Sequence, residues 1–346
     1  MPALCRARAL LPTVALLAAL AAERTPALAQ PAGAPAPGPA LGHDPDAARL
    51  ITSDIPRFWA AYDGATLQDA AARFQARYID AGTPGLRDFL DGRIVNGRFL
   101  AATVAARPRF YAAIRANTLA VDTASGVKDA IRASFRRLKA LAPDAVFPDV
   151  YFVVGRLNSG GTVSDRGLLI GVELNARDDR TPTDELDAWE RSVVGRLADL
   201  PHVVAHELAH MQRRGGDPEN GKATLLARAL NEGAADFVAE LISGAHLNGA
   251  HYVYGDAHER ELWAEFSRAM RGTESRGWLY QGGDAKDRPA DLGYYEGYKI
   301  AQAYYRRAAD KRAALRAILD ITDPEAFLRA SGYAGQAGAP AGRGGR

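Results

Sequence analysis

The pentapeptide His206-Glu207-Leu208-Ala209-His210 constrains this chain more than any other stretch. Two imidazoles four residues apart on an α-helix lie on one face, one above the other. Both ring nitrogens can then reach one metal ion, with Glu207 a step round the helix, beside water activated there. The neighbouring residues predict the helix itself. Pro201 suits a first helical position, and Val203, Val204, Leu208 and Met211 supply an apolar face. Five residues alone also fit a helix whose histidines merely meet their neighbours. A third ligand decides between the two.

The chain around this motif has 346 residues, 47 % of them hydrophobic, enough for one substantial core or two modest ones. Its net charge of +2, with both signs interspersed, leaves no electrostatic footprint for nucleic acid. Arg213-Arg214 and Arg306-Arg307 read as solvated faces. The N-terminus differs in kind. Arg6 and Arg8 precede an apolar run from Ala9 to Ala22, and Ala27-Leu28-Ala29 offers a small-x-small cleavage site before Gln30. That run is short for a membrane span, so residues 1–29 are expected to be an export signal. The expected product is periplasmic or secreted and keeps no membrane span. Cys5, the single cysteine, falls in the signal, which leaves no disulfide and no lipoprotein cysteine at the cut.

Residues 30–43 read as a Pro/Ala/Gly linker and 334–346 as a disordered Gly/Ala/Arg tail, with a single domain over 44–333 between them. Within it, 44–145 is expected to be a helical scaffold and 146–333 the catalytic part. Thr66 caps an expected helix whose inner face is Leu67, Ala70, Ala71, Phe74 and Tyr78, ended by Gly82. Pro108 opens another, with Phe110, Ile114 and Leu119 inward, and Val127, Ile131, Phe135, Leu138 and Leu141 form a third stripe. The period then changes. Val150 to Val154 reads as a strand, Gly160-Gly161-Thr162 as a turn, and Leu168 to Leu174 as a second strand. A polar loop over 178–187 and a helix around 188–198 lead to Pro201. Fold class is therefore α+β, mostly α, with a small β-sheet ahead of the motif helix.

After a turn at Arg214 to Pro218, a long helical pattern runs from about Ala223 to Ser243 and closes at Gly244. Leu226, Leu230, Phe237, Val238 and Leu241 give its apolar positions. Glu232 and Asp236 stand four apart on one face, and 21 residues separate His210 from Glu232, room for an antiparallel return. Alone, Glu232, Asp236 and Glu240 would fit an acidic solvent face. His-Glu-x-x-His followed by Asn-Glu-x-x-x-Asp, however, resembles the gluzincin metallopeptidases, to which thermolysin and the zinc aminopeptidases belong. The resemblance implies a zincin-like fold, with His206, His210 and Glu232 as ligands of one Zn2+ ion. It implies that Asp236 holds a ligand histidine, foremost His206, through its second ring nitrogen. The run PDVYFVVG, GGT, HELAH, NEGAADF and GYYEGY further resembles a group known only as predicted zinc-dependent proteases. This likeness spans Phe58 to Tyr305, its specific part lying between Val150 and Asp236. Metzincins fit less well, since Arg213 and Gly216 stand where they need Gly and His.

His202 continues the series of histidines, but eight helical residues rise about 12 Å, too far for His202 and His210 to share an ion. His246, His251 and His258 are expected in a surface loop. In the implied mechanism Glu207 takes a proton from zinc-activated water and passes it to the leaving amine. Gluzincins add a downstream Tyr or His that steadies the oxyanion. The candidates here are Tyr294, Tyr295 and foremost Tyr298, on a helix where Gly293, Gly297 and Ala301 allow close approach to a neighbour. Asp310 to Gly332 reads as a final helix pair. The expected function is an exported zinc peptidase acting on a peptide or protein, without an exopeptidase signature for gripping a chain end. Two other functions share the motif: a non-catalytic exported zinc-binding protein, and a zinc hydrolase of a non-peptide amide. Retention of Glu207 argues against the first, because a closed structural site needs no base.

Overall fold

Helices make up most of the computed structural model, and one four-stranded sheet interrupts them, so the mostly α, α+β expectation is correct. Residues 41–123, 125–213, 221–244, 249–281, 285 and 287–335 are described, all within one unit spanning Gly38–Arg346. The proposed signal, Cys5, most of the linker, the turn at 214–218, His246, the His251 side chain and nearly all of the tail lie outside the described residues. No helix among the described residues is long and apolar enough to cross a membrane.

The scaffold begins with β1 (Leu50–Ile51) and α1 (Asp54–Asp63), then α2 (Ala70–Arg73) running into a π-helical stretch, Phe74–Ile79. Next come α3 (Pro84–Asp88), α4 (Gly97–Ala106), α5 (Pro108–Thr123) and α6 (Ser125–Leu141). Thr66 and Asp69 do bond reciprocally, but the helix starts only at Ala70. Leu67, expected inside, therefore stays in the preceding turn and is 88 % exposed. Phe110, Ile114, Val127, Ile131, Phe135 and Leu138 are buried as their spacing requires, while Leu119 and Leu141 are half-buried. Phe58 is the hub of the scaffold core. Its ring lies 4.9–6.1 Å from those of Trp59, Phe74, Tyr78 and Tyr111.

That aromatic core reaches the sheet through two hydroxyls. Tyr78 donates to the Val154 carbonyl (2.9 Å) and accepts from its N–H (2.8 Å), and Tyr111 donates to the Gly155 carbonyl (2.9 Å). Both pin the exit of β2 (Asp149–Val153). The other strands are β3 (Gly161–Ser164) and β4 (Gly167–Gly171), in the order β1-β2-β4-β3. β1, β2 and β4 run parallel, β2 and β4 buried almost throughout, which explains their unbroken apolar runs. β3 runs antiparallel to β4 at the edge, Thr162 opposite Leu169.

Two expectations fail in this region. Gly161 and Thr162 open the edge strand instead of forming a turn. The reversal falls at Ser164 to Gly167, where Gly167 at φ +151° has the freedom a side chain would deny. The LLIGVEL run stops as a strand at Gly171 and turns into a 3₁₀ segment, Val172–Asn175. Buried Glu173 accounts for the break, since its carboxylate accepts N–H groups of Gly155 (2.7 Å) and Leu157 (3.1 Å).

The C-terminal part continues with α7 (Ala188–Val193), α8 (Leu200–Met211), α9 (Leu225–Ser243), α10 (Gly249–Ala269), α11 (Leu292–Arg307), α12 (Lys311–Leu319) and α13 (Pro324–Ser331). Thr224 caps α9 through its hydroxyl, and Gly244 at φ +94° ends it. Helix α10 replaces the loop expected around His251 and His258. His258 marks a kink in it and stacks on Tyr254 at 4.1 Å. α8 is packed between α9, α6 and the sheet, and α11 lies along α9.

Candidate metal centre and active site

Pro201 sits in the first turn of α8, and Val204, Ala205 and Leu208 bury one side of it. The opposite side faces α9. His206 Nε2 and His210 Nε2 lie 2.9 Å apart, and Glu232 Oε2 is 3.5 Å from the first and 3.4 Å from the second. Two helical repeats, one on each of two packed helices, bring these atoms to a common point.

A tetrahedral ion with 2.0–2.2 Å bonds to imidazole and carboxylate places its ligands about 3.3–3.6 Å apart, which matches the two histidine–glutamate separations, while the two imidazole nitrogens at 2.9 Å would part by a few tenths of an ångström to hold it. The tautomer fits as well. Asp236 Oδ1 lies 2.7 Å from His206 Nδ1, and a carboxylate only accepts, so the ring proton resides on Nδ1 and the Nε2 lone pair faces the cluster. Electrostatics point the same way. Burial works against a second proton on His206, at Nε2, yet the hydrogen bonds that the charged ring makes to Asp236 and Glu232 outweigh it and hold its proton affinity well above the usual range, so a cation at that position is favoured. Burial likewise opposes ionisation of Glu232, yet His210 and His206 hold it well below the usual carboxylate range. Positive charge is favoured where the donors converge. Among the described residues His206, His210 and Glu232 are the group able to hold a metal ion.

A second tier steadies the donors. Asn231 Nδ2 donates to Glu232 Oε1 (2.8 Å), and Arg213 donates to Asn231 Oδ1. Tyr252 of α10 donates to Asp236 Oδ2 (3.1 Å), so both oxygens of that carboxylate are engaged.

Glu207 stays outside the donor set and faces the sheet. A Cβ on Gly161 would lie 2.5 Å from its Oε1 and 2.7 Å from its Cγ. The edge strand thus passes directly over the carboxylate, and a side chain there would have to push it aside. Burial raises the proton affinity of Glu207, and the two histidines, with Arg93, pull part of that back. A carboxylate so poised can take up a proton and release it.

The tyrosines divide differently from expectation. Tyr298 donates to Glu240 and receives a bond from Gln302 (2.8 Å), with its ring against Tyr252 and Phe237, so its hydroxyl is turned away from the donor cluster. Tyr295 donates to Asp256 (3.0 Å). Tyr294 is the one that meets the site. Its ring stacks on His206 at 6.3 Å, and its hydroxyl bonds to nothing among the described residues. Burial, with the charge of Glu232, keeps that phenol protonated well above its usual range. Tyr280, in the segment before α11, adds a hydroxyl 3.3 Å from Glu232 Oε1 and holds a left-handed backbone, φ +58°. His202 remains half-buried, its Nδ1 without a partner among the described residues.

Sequence reasoning missed Tyr280, Tyr252, Arg213 and Arg93. Tyr280, Tyr252 and Arg93 reach the site from other segments, and no spacing relative to the histidines marks them; Arg213, three residues after His210 and expected on a solvated face, is half-buried and bonded to Asn231.

Donor chemistry of this kind, two histidines and one carboxylate, characterises zinc sites that leave a coordination position open. The family comparison narrows the class. Residues 191–322 match the family described as Predicted Zn-dependent protease (DUF2268), a segment that takes in α8 to α12 and every donor. The chain thus resembles the group that its motifs suggested. No curated protein and no solved structure matches it.

Proposed function

We propose that this protein is an exported, gluzincin-type zinc peptidase, and that His206, His210 and Glu232 hold one Zn2+ ion. The observation that carries the reading is the convergence of the three donor atoms, with Asp236 behind His206 and Glu207 beside the set but outside it. A closed structural site would have no use for that buried acid.

Zinc held there supplies Lewis acidity towards water and towards a substrate carbonyl. Glu207 accepts the proton of the attacking water at a carboxylate oxygen and delivers it to the leaving amine nitrogen. Tyr294 donates its phenolic hydrogen to the oxyanion of the tetrahedral adduct. Asp236 fixes the His206 ring, and Asn231 takes up Glu232 Oε1, leaving Oε2 for the ion. An extended peptide pairs with edge strand β3, whose backbone hydrogen bonds hold substrate without reading its sequence. The partner is thus a peptide or protein, with no role for nucleic acid. Export through residues 1–29 would deliver the enzyme to the periplasm or beyond.

Metal analysis combined with digestion of a broad peptide library tests this reading. His206→Ala is expected to lose zinc, and Glu207→Gln to keep zinc and lose hydrolysis. Full activity in Glu207→Gln would sink the mechanism, and zinc-loaded wild type that cleaves no peptide would sink the substrate class.

A further inference from the structure

Among the described residues, Arg93 is the guanidinium whose charge bears on Glu207. It belongs to a tight excursion between α3 and α4, outside the family-matched segment. Gly92 at φ +63° precedes it. Val95, a β-branched residue, follows in a γ-turn at φ 69°, ψ −67°, closed by the Asn96 N–H to the Ile94 carbonyl (2.9 Å). Such backbone persists only where its surroundings over-determine it.

The side chain lies along the edge strand. Nε donates to Ser159 Oγ (3.2 Å), Nη2 to Thr162 Oγ1 (2.7 Å) and Nη1 to the Asp91 carbonyl (3.1 Å), with Phe89 beneath at 5.7 Å. Thr162 adjoins Gly161, the residue pressed against Glu207, and successive strand residues face opposite sides, so Arg93 and Glu207 lie at the same point of β3 on its two faces. All three bonds go to neutral acceptors. The half-buried guanidinium makes no ion pair among the described residues, and the nearest opposing fields are those of Glu207 and Asp91. A guanidinium has five N–H groups, and three are spent. One remains on each terminal nitrogen, the pair that grips a carboxylate bidentately.

Glu207 protonates the leaving amine, so a peptide paired with β3 at Gly161 and Thr162 lays the segment C-terminal to the cut there, and alternate side chains of an extended peptide turn towards the Arg93 face. We propose that Arg93 selects peptides carrying a carboxylate there, either an Asp or Glu side chain or the free C-terminus of the peptide. The inference rests on the peptidase reading, and it gives that site an acidic substrate class.

Four peptides of one core sequence separate the two sources: with Glu or Gln just after the cleaved bond, each with a free or an amidated C-terminus. Zinc-loaded wild type supplies kcat and KM, and Glu207→Gln supplies Kd without turnover. Removing the recognised carboxylate is expected to raise KM and Kd by roughly 10- to 100-fold. Arg93→Gln in either background abolishes that ratio, and Arg93→Lys, a point charge without the fork, keeps a reduced one. Equal binding of all four peptides by wild type and by Glu207→Gln overturns the proposal. So does an Arg93→Gln protein that loses kcat evenly while its preference stands, because Arg93 would then serve only to balance Glu207. Failure of wild type to cleave any peptide overturns the peptidase reading alone if the Kd ratios hold, and both readings if no peptide binds.

Discussion

Gly233 of α9 and Gly297 of α11 meet backbone to backbone, so that a Cβ on Gly297 would lie 3.1 Å from the Gly233 Cα and closer still to the Ala229 carbonyl. Gly233 directly follows Glu232, and Tyr294 stands one turn before Gly297. The contact therefore sets how near the phenol comes to Glu232 and His206. Alanine at either position would press on backbone, which cannot rotate aside. Gly233→Ala and Gly297→Ala should each lose about 3 kcal/mol or more of stability, read as a lower urea midpoint. An unshifted midpoint would show that the helices can separate at no cost.

Asp236 is engaged on both oxygens, by His206 and by Tyr252. Asp236→Ala should weaken zinc binding by roughly 10- to 100-fold, measured by competition with a chromogenic chelator. Tyr252→Phe, which removes one of the two bonds, should have a smaller effect in the same direction. Equal affinity in wild type and Asp236→Ala would mean that the ring of His206 is oriented by packing alone.

Tyr294 and Tyr298 make opposite predictions. Tyr294→Phe should reduce kcat by about 10²–10³ with zinc content and KM nearly unchanged, the loss typical of one oxyanion donor. Tyr298→Phe, which breaks a bond to Glu240, should lower thermal stability and leave kcat within about threefold. The reverse pattern would restore the role to Tyr298.

Gly161→Ala tests the fit of β3 over Glu207. The added methyl would overlap Oε1, Cγ and Cδ, at 2.5, 2.7 and 2.8 Å, and must push the carboxylate aside. A fall in kcat of at least about tenfold with zinc retained is expected, since a displacement near 1 Å can cost two orders of magnitude. Full activity would place the working position of Glu207 elsewhere.

Features held in one helix or strand were legible before the structure, and features assembled across the chain were not. The stripe of Val127, Ile131 and Phe135 follows from the helical period, as does the shared face of His206 and His210. The small-residue stripe of α11 likewise foretold a close neighbour. β3 stayed hidden because Gly161 to Ser164 carries no apolar run, and its edge position is fixed by β4 and by Glu207 beneath. α10 was misread as loop because its polar residues outweigh a weak apolar stripe. Tyr298 drew attention through its spacing from Gly293 and Gly297, but one turn of helix separates it from Tyr294, and rotation about α11 decides which hydroxyl meets His206.

Glu296, between those two tyrosines, is wholly buried, and neither of its oxygens has a hydrogen-bond partner among the described residues. The neighbouring Lys299 is already bonded to Glu259 and Asp256, both at 3.2 Å. Burial, then the Glu259 charge, raises the Glu296 carboxyl from 4.5 to about 8, with Lys299 opposing. The folded state therefore keeps a proton that the unfolded chain releases above about pH 4.5. Stability from this group is complete below that pH and falls by roughly 1.4 kcal/mol per unit until about pH 8, where both states are ionised and the slope vanishes. Glu296→Gln has no proton to lose. Its unfolding free energy relative to wild type should climb by a few kcal/mol between pH 5 and 8 and then level off, as read from urea titrations at each pH. A constant difference across that range would mean that Glu296 is ionised in the folded protein and finds a partner there.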